Sequence, residues 1–148
     1  MATMMQPNFI QPILGMIGVT AGVWGWMYVK RLGYLKRQNI DPQSINTPSK
    51  MSERLPESIH YPSDNFKNLF EMPVIFYVVC LCAELFRYQG IPLSSWLYQA
   101  AWGFVILRAI HSLIHCSYNK VMHRFSVYML SCLVLWAMVI KLALLAWR

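Results

Sequence analysis

Charge is scarce in this sequence, and acid is scarcest. The 148 residues include thirteen Lys or Arg but only six Asp or Glu, and 13% of the chain is charged. A soluble domain carries about 25%, so the chain lacks the charge to cover a solvated surface. The segment before Pro12 has no charge and no basic n-region, so the first apolar run reads as an anchor and not as a cleaved signal peptide. Cys80, Cys82, Cys116 and Cys132 form no C-x-x-C pair, which removes the usual redox and zinc spacings and leaves small buried hydrophobes. There is no strand pattern and no tandem repeat. No histidine lies within the first, second or fourth apolar run, which argues against a haem held between two facing helices.

What is present is apolar length. Hydrophobic residues make up 57% of the chain. They concentrate in runs at 12–29, 69–86, 96–114 and 125–147. Each reaches the roughly 17–25 residues that a membrane crossing needs. The expected fold is an all-α integral membrane protein, a four-transmembrane-helix bundle. Its spans fall at about 10–30, 68–87, 95–115 and 124–147, within one membrane domain over 1–148. The net charge of +7 follows topology and not nucleic acid. Lys30, Arg31, Lys36, Arg37, Lys50, Arg54 and Lys67 lie between the first two runs, and Lys120 and Arg124 between the last two. The positive-inside rule then puts both of these connections in the cytoplasm and both termini outside.

The third run holds an expensive residue. An arginine inside a span costs about 3 kcal/mol on insertion scales. Arg108, His111 and His115 are spaced i, i+3, i+7, so one helix face carries all three. Trp102, Phe104, Val105 and Ile106 are expected on the lipid side. Asp64, Asn68 and Glu71 share a face at the start of the second span, with Pro73 in its first turns. Glu71 is the expected buried partner for Arg108, with a helix N-terminal acid favoured by the dipole as the other reading. Glu84, near the other end of that span, is expected to be solvated beside Arg87. The connection 41–63 holds Pro42, Pro48, Pro56 and Pro62 and is expected to contain no long helix. His60 and Tyr61 within it read as surface residues. Gly18-x-x-x-Gly22 in the first span offers a small-residue ridge for another helix.

Asn68, Glu71, Arg108, His111, His115, Tyr118 and Arg124 are therefore expected to converge at the cytoplasmic side. Residues 108 and 115 are about 10 Å apart along the helix. A zwitterionic or anionic small molecule suits such a set, with arginine for carboxylates and Glu71 and Asn68 for amine and amide groups. A cation such as Arg124 would also favour a thiolate. Two other readings use the same residues. His111 and His115 have an i, i+4 metal spacing, with Cys116 or His123 as a third ligand, but Arg108 on their face opposes a metal cation. Alternatively, the polar groups only fix helix register.

Asn68-x-x-Glu71-x-Pro73 and Arg108-x-x-His111-x-x-x-His115, followed by Arg124, resemble the MAPEG family, the membrane-associated proteins of eicosanoid and glutathione metabolism. The resemblance covers all four spans and points to its bacterial branch, and so to a bacterial inner membrane. It implies a homotrimer that binds glutathione between subunits at the cytoplasmic side. By resemblance Asn68, Glu71, Arg108, His111 and His115 bind glutathione, and Arg124 activates its thiol. Three features depart from the family pattern. Asp64 stands where an arginine is expected, His115 stands where a tyrosine is expected, and the proline follows the glutamate sooner. The resemblance implies a glutathione-dependent transferase or peroxidase acting on a lipophilic electrophile from the bilayer, with no metal. The alternative is a non-catalytic membrane protein that binds an anionic lipid or metabolite in the same pocket.

Overall fold

A computed structural model describes residues 8–147. The chain forms α1 (Ile10–Arg37), a 3₁₀ turn (Pro42–Ile45), α2 (Pro48–Arg54), α3 (Glu57–Asn68), α4 (Met72–Tyr88), α5 (Ser95–Cys116) and α6 (Val121–Ala146), with no strand among the described residues. Four helical segments are long and apolar enough to cross a membrane: α1, α3 with α4, α5 and α6. The protein is a multi-pass integral membrane protein built as a four-helix bundle.

The bundle has a dry centre and an apolar outside. Phe76 of α4 stacks on Phe104 of α5 with ring centroids 4.5 Å apart, and Met16, Leu97, Ala101, Leu135 and Met138 close around them. The outer face carries Val78, Leu81, Ile106, Ile110, Leu133 and Ile140, all exposed. In water so much open apolar area would promote association; in a bilayer it is the solvated surface. The expected lipid face of α5 is corrected here. Ile106 does face outward, but Phe104 and Val105 are core residues, and Trp102 is half-buried. Trp102 packs on α1 at Gly15, where a Cβ would stand only 3.0 Å from the indole ring. Helical spacing in a uniformly apolar run does not say which side faces lipid, because both sides are hydrophobic.

The connection 41–63 holds only short helical pieces and the start of α3, and it is folded against α1. α1 is 28 residues long, about 42 Å of rise, and so extends past a hydrocarbon core of about 30 Å. Its last turns hold a second, small core in which Leu35 meets Ile45, Leu55 and Ile59. Three of the four prolines start helices. Pro42 and Pro48 sit in first turns, and Pro56 immediately precedes α3. At those places the missing N–H has no helical partner to lose. Pro62 alone lies inside a helix, where it deprives the Ser58 carbonyl of its usual donor. Lys30 Nζ donates to that carbonyl at 3.4 Å, and this contact ties α1 to α3.

Glu84 differs most from expectation. It is 5% exposed, not solvated. Its carboxylate accepts from the Phe9 backbone N–H at 3.0 Å and from Arg87 Nε at 3.1 Å. The acid thus closes one end of the bundle by holding the start of α1 against the end of α4. Glu84→Ala removes the Phe9 bond and the contacts to Arg87 and should lower stability mainly through the Phe9 bond, because Arg87 keeps 24% side-chain access and can turn to solvent. Glu84→Gln keeps an acceptor for Phe9 and should lose less than half as much. Denaturation of both variants in one detergent checks this, and equal losses would mean that the Phe9 bond contributes nothing.

Candidate functional site

The opposite end of the bundle is interrupted twice, and the interruptions carry the polar residues. The first lies between α3 and α4. Pro73, in the first turn of α4, has no N–H for the preceding turn, so the helix stops at Asn68 and restarts at Met72. A continuous helix would bond the Asn68 carbonyl to the amide of residue 72. Here it receives Arg108 Nη2 at 2.9 Å instead, with a long bond of 3.4 Å from the Glu71 amide.

The second interruption is the turn from α5 to α6. His111 Nδ1 lies 3.1 Å from the Arg124 carbonyl. A carbonyl oxygen only accepts, so Nδ1 carries the proton. The Arg124 side chain projects from the first turn of α6, and its Nη1 donates to Asn119 Oδ1 at 2.7 Å. A cation there is opposed by the helix dipole, so helix stability does not account for it.

Between the interruptions lies a cavity of about 500 Å³. Asn68, Glu71, His115 and Arg124 line it, together with Asp64, Lys67 and Asn119. Glu57, His60 and Tyr61 of α3 complete the rim. The cavity therefore presents cations and carboxylates side by side. His115 Nδ1 is buried without a partner.

Not every expected residue reaches this cavity. Arg108 is 0% exposed and His111 2% exposed, and both stand behind the wall. Tyr118 turns away, its hydroxyl 3.2 Å from His123 Nδ1. The expected buried pair of Glu71 and Arg108 is absent. Glu71 is exposed, and the ion pairs among the described residues are Lys67–Asp64 and Arg87–Glu84. The physical reason is the break at Pro73: it frees a neutral main-chain acceptor for Arg108 and turns Glu71 outward. Arg108 also lies 5.4 Å from the Tyr128 ring centroid, a cation–π contact. Its Nε and Nη1 have no partner within the chain.

Lys67 and Asn119 are not among the expected site residues, and Asp64, expected on one face with Asn68 and Glu71, is not expected as a ligand contact. Asn119 had a signal: an asparagine just after an apolar helix is a common left-handed end residue. A second cavity of about 500 Å³ is apolar and opens sideways between α1 and α5, lined by Val19, Gly22, Val23, Trp26, Leu113 and Cys116 among others.

Fold and site thus define a four-helix membrane protein with a mixed-charge cavity at one end and an apolar groove along its side. A model of the MAPEG family matches residues 9–144, and the chain belongs to that family. Membership makes it a membrane protein of the glutathione- and eicosanoid-metabolism group. No curated protein and no solved structure matches the chain.

Glu71 and Arg108 form no direct ion pair, so little side-chain coupling is expected between them beyond the Asn68 carbonyl that the Arg108 guanidinium and the Glu71 amide share. The losses of Glu71→Gln and Arg108→Met in denaturation should add within about 1 kcal/mol. A coupling of about 3 kcal/mol in the double variant would restore the direct pair.

Proposed function

We propose that the protein is a glutathione-dependent transferase or peroxidase whose second substrate is a lipophilic electrophile from the bilayer. The observation that carries this reading is the mixed-charge cavity in which Asn68, Glu71, His115 and Arg124 meet. Glutathione has two carboxylates, an amine, two amides and a thiol. A wall with Lys67 and Arg124 for anions, Glu71 and Asp64 for the amine, and Asn68 for an amide suits that donor set. The unpartnered His115 Nδ1 adds one more group to be satisfied. Arg108 and His111 support the wall from behind, each by holding the main chain of a cavity residue.

In this reading Arg124 stands beside the thiol and favours its anion, as a nearby cation does. The proton leaves to solvent. The thiolate then bonds to an electrophilic carbon, whose leaving group departs with the electron pair. The apolar groove between α1 and α5 supports delivery from the membrane. Basic residues gather at the cavity end of the bundle, which favours a site facing the cytoplasm.

A trimer accords with the Gly18 and Gly22 ridge, where nothing lies within 4 Å of an added Cβ. Mass measurement in nanodiscs should give three copies. Gly18→Leu with Gly22→Leu should lower that number, because bulk prevents close helix approach. An unchanged trimer would move the interface elsewhere.

The second reading, a non-catalytic binder of an anionic lipid or metabolite, draws on Asp64 and His115 standing where the family pattern has arginine and tyrosine. Calorimetric titration with glutathione and a conjugation assay with a generic electrophile separate the two. Binding with turnover supports the transferase, binding without turnover supports the second reading, and no binding at millimolar glutathione removes the first. Arg124→Ala should retain much of the binding but lose about 10²-fold in kcat, the scale of one lost charge-stabilising donor. Thiolate absorbance followed against pH should show the bound thiol ionising at higher pH in this variant. An unchanged titration would reduce Arg124 to an interfacial anchor.

A further inference from the structure

We propose that Asn119 is the positioning residue of this site: it shapes the α5–α6 turn and holds the Arg124 guanidinium in the cavity without neutralising it. The proposal rests on the reading of Arg124 just given and deepens it.

The turn is short. α5 ends at Cys116 and α6 begins at Val121. The Ile114 carbonyl accepts from the Ser117 amide at 3.3 Å and the Asn119 amide at 2.9 Å, which closes the end of α5. Asn119 has φ +49°, in the left-handed region. Glycine enters that region freely, asparagine is the side chain that does so most readily, and most others are strained there. Glycine would serve the backbone alone. Asparagine adds Oδ1, and that atom accepts from Arg124 Nη1 at 2.7 Å. The exposed bridge from the Tyr118 hydroxyl to His123 Nδ1 spans the same turn and braces it from outside.

The anchor is neutral, and its neutrality matters. Asp64, Glu71, Lys67 and His115 line the same cavity. No carboxylate pairs with Arg124, since the ion pairs among the described residues are Lys67–Asp64 and Arg87–Glu84. An aspartate at 119 would hold the guanidinium equally well but cancel its field. With no acceptor at 119, a long cationic side chain near the membrane surface is free to snorkel toward lipid phosphates. An amide is the group that fixes the direction of Arg124 and leaves its charge for an anionic ligand.

Two substitutions of the full chain in nanodiscs separate these functions. Asn119→Gly keeps the left-handed turn and loses the anchor; Asn119→Asp keeps the anchor and adds a charge. Nitrogen relaxation of the Arg124 Nε–H group should show it ordered in the parent and in Asn119→Asp, and mobile in Asn119→Gly. With glutathione bound, both variants should shift the thiolate titration to higher pH by about one pH unit, a tenfold change in ionisation. In the Arg124→Ala background Asn119→Gly should add nothing. If Asn119→Gly leaves Arg124 ordered, or leaves both the titration and turnover unchanged, the proposal is overturned and the residue only makes the turn. If the parent binds no glutathione, the transferase reading falls, while the Arg124 ordering still decides whether Asn119 positions it.

Discussion

The bond from Arg108 to the Asn68 carbonyl is the constraint on which the cavity depends. A cation fully buried in a span needs an acceptor, and α5 and α6 contain no acidic residue. The acceptor comes from the backbone, and it is free only because Pro73 prevents α3 from running unbroken into α4. One proline thus creates both the kink and the anchor point. Arg108 then keeps the broken ends together, so Asn68 and Glu71 stay at the cavity. A hydrogen bond with one charged partner contributes about 1.5–3 kcal/mol, enough to hold such a break in one arrangement.

The second interruption follows the same plan. His111, one turn on from Arg108 along α5, bonds the Arg124 main chain. Both supporting side chains come from one face of one helix, and each holds the backbone beside a cavity residue. α5 acts as the template of the site. It packs against α1, α3 and α6, so its position is fixed from several sides. Side chains held in this way are less free to move, which suits a pocket that must present its groups already oriented.

Four spans, their order and the basic connections were legible because length and charge act through the bilayer, which reads composition alone. The stripe of Arg108, His111 and His115 was legible because helical spacing is fixed. Its direction was not. Polar groups on one face suggested lining residues, whereas two of the three support the wall from behind. Glu84 could not be read as buried, because its main partner besides Arg87 is the Phe9 amide, 75 positions away. The pairing of Glu71 with Arg108 was inferred from opposite charge. A backbone carbonyl as rival acceptor leaves no mark in a sequence unless the effect of Pro73 on Asn68 is followed through. The short helices of the 41–63 connection were not legible for a similar reason, since prolines that start helices and prolines that break them look alike until the caps are known.

The two ends of the bundle make the last contrast. At one end Glu84 binds a cation and a backbone amide, and little there is left to satisfy. At the other, Arg108 Nε and Nη1, His111 Nε2 and His115 Nδ1 are all buried without partners. Buried polar groups left unpaired cost about 1–3 kcal/mol each. A chain that needed those residues only for helix register would close its second end as it closes its first, with one acid and its neighbours. The imbalance sits beside the cavity that Arg124 lines, and the closed end, with α5 between the two, supplies the rigidity that keeps the open end in place.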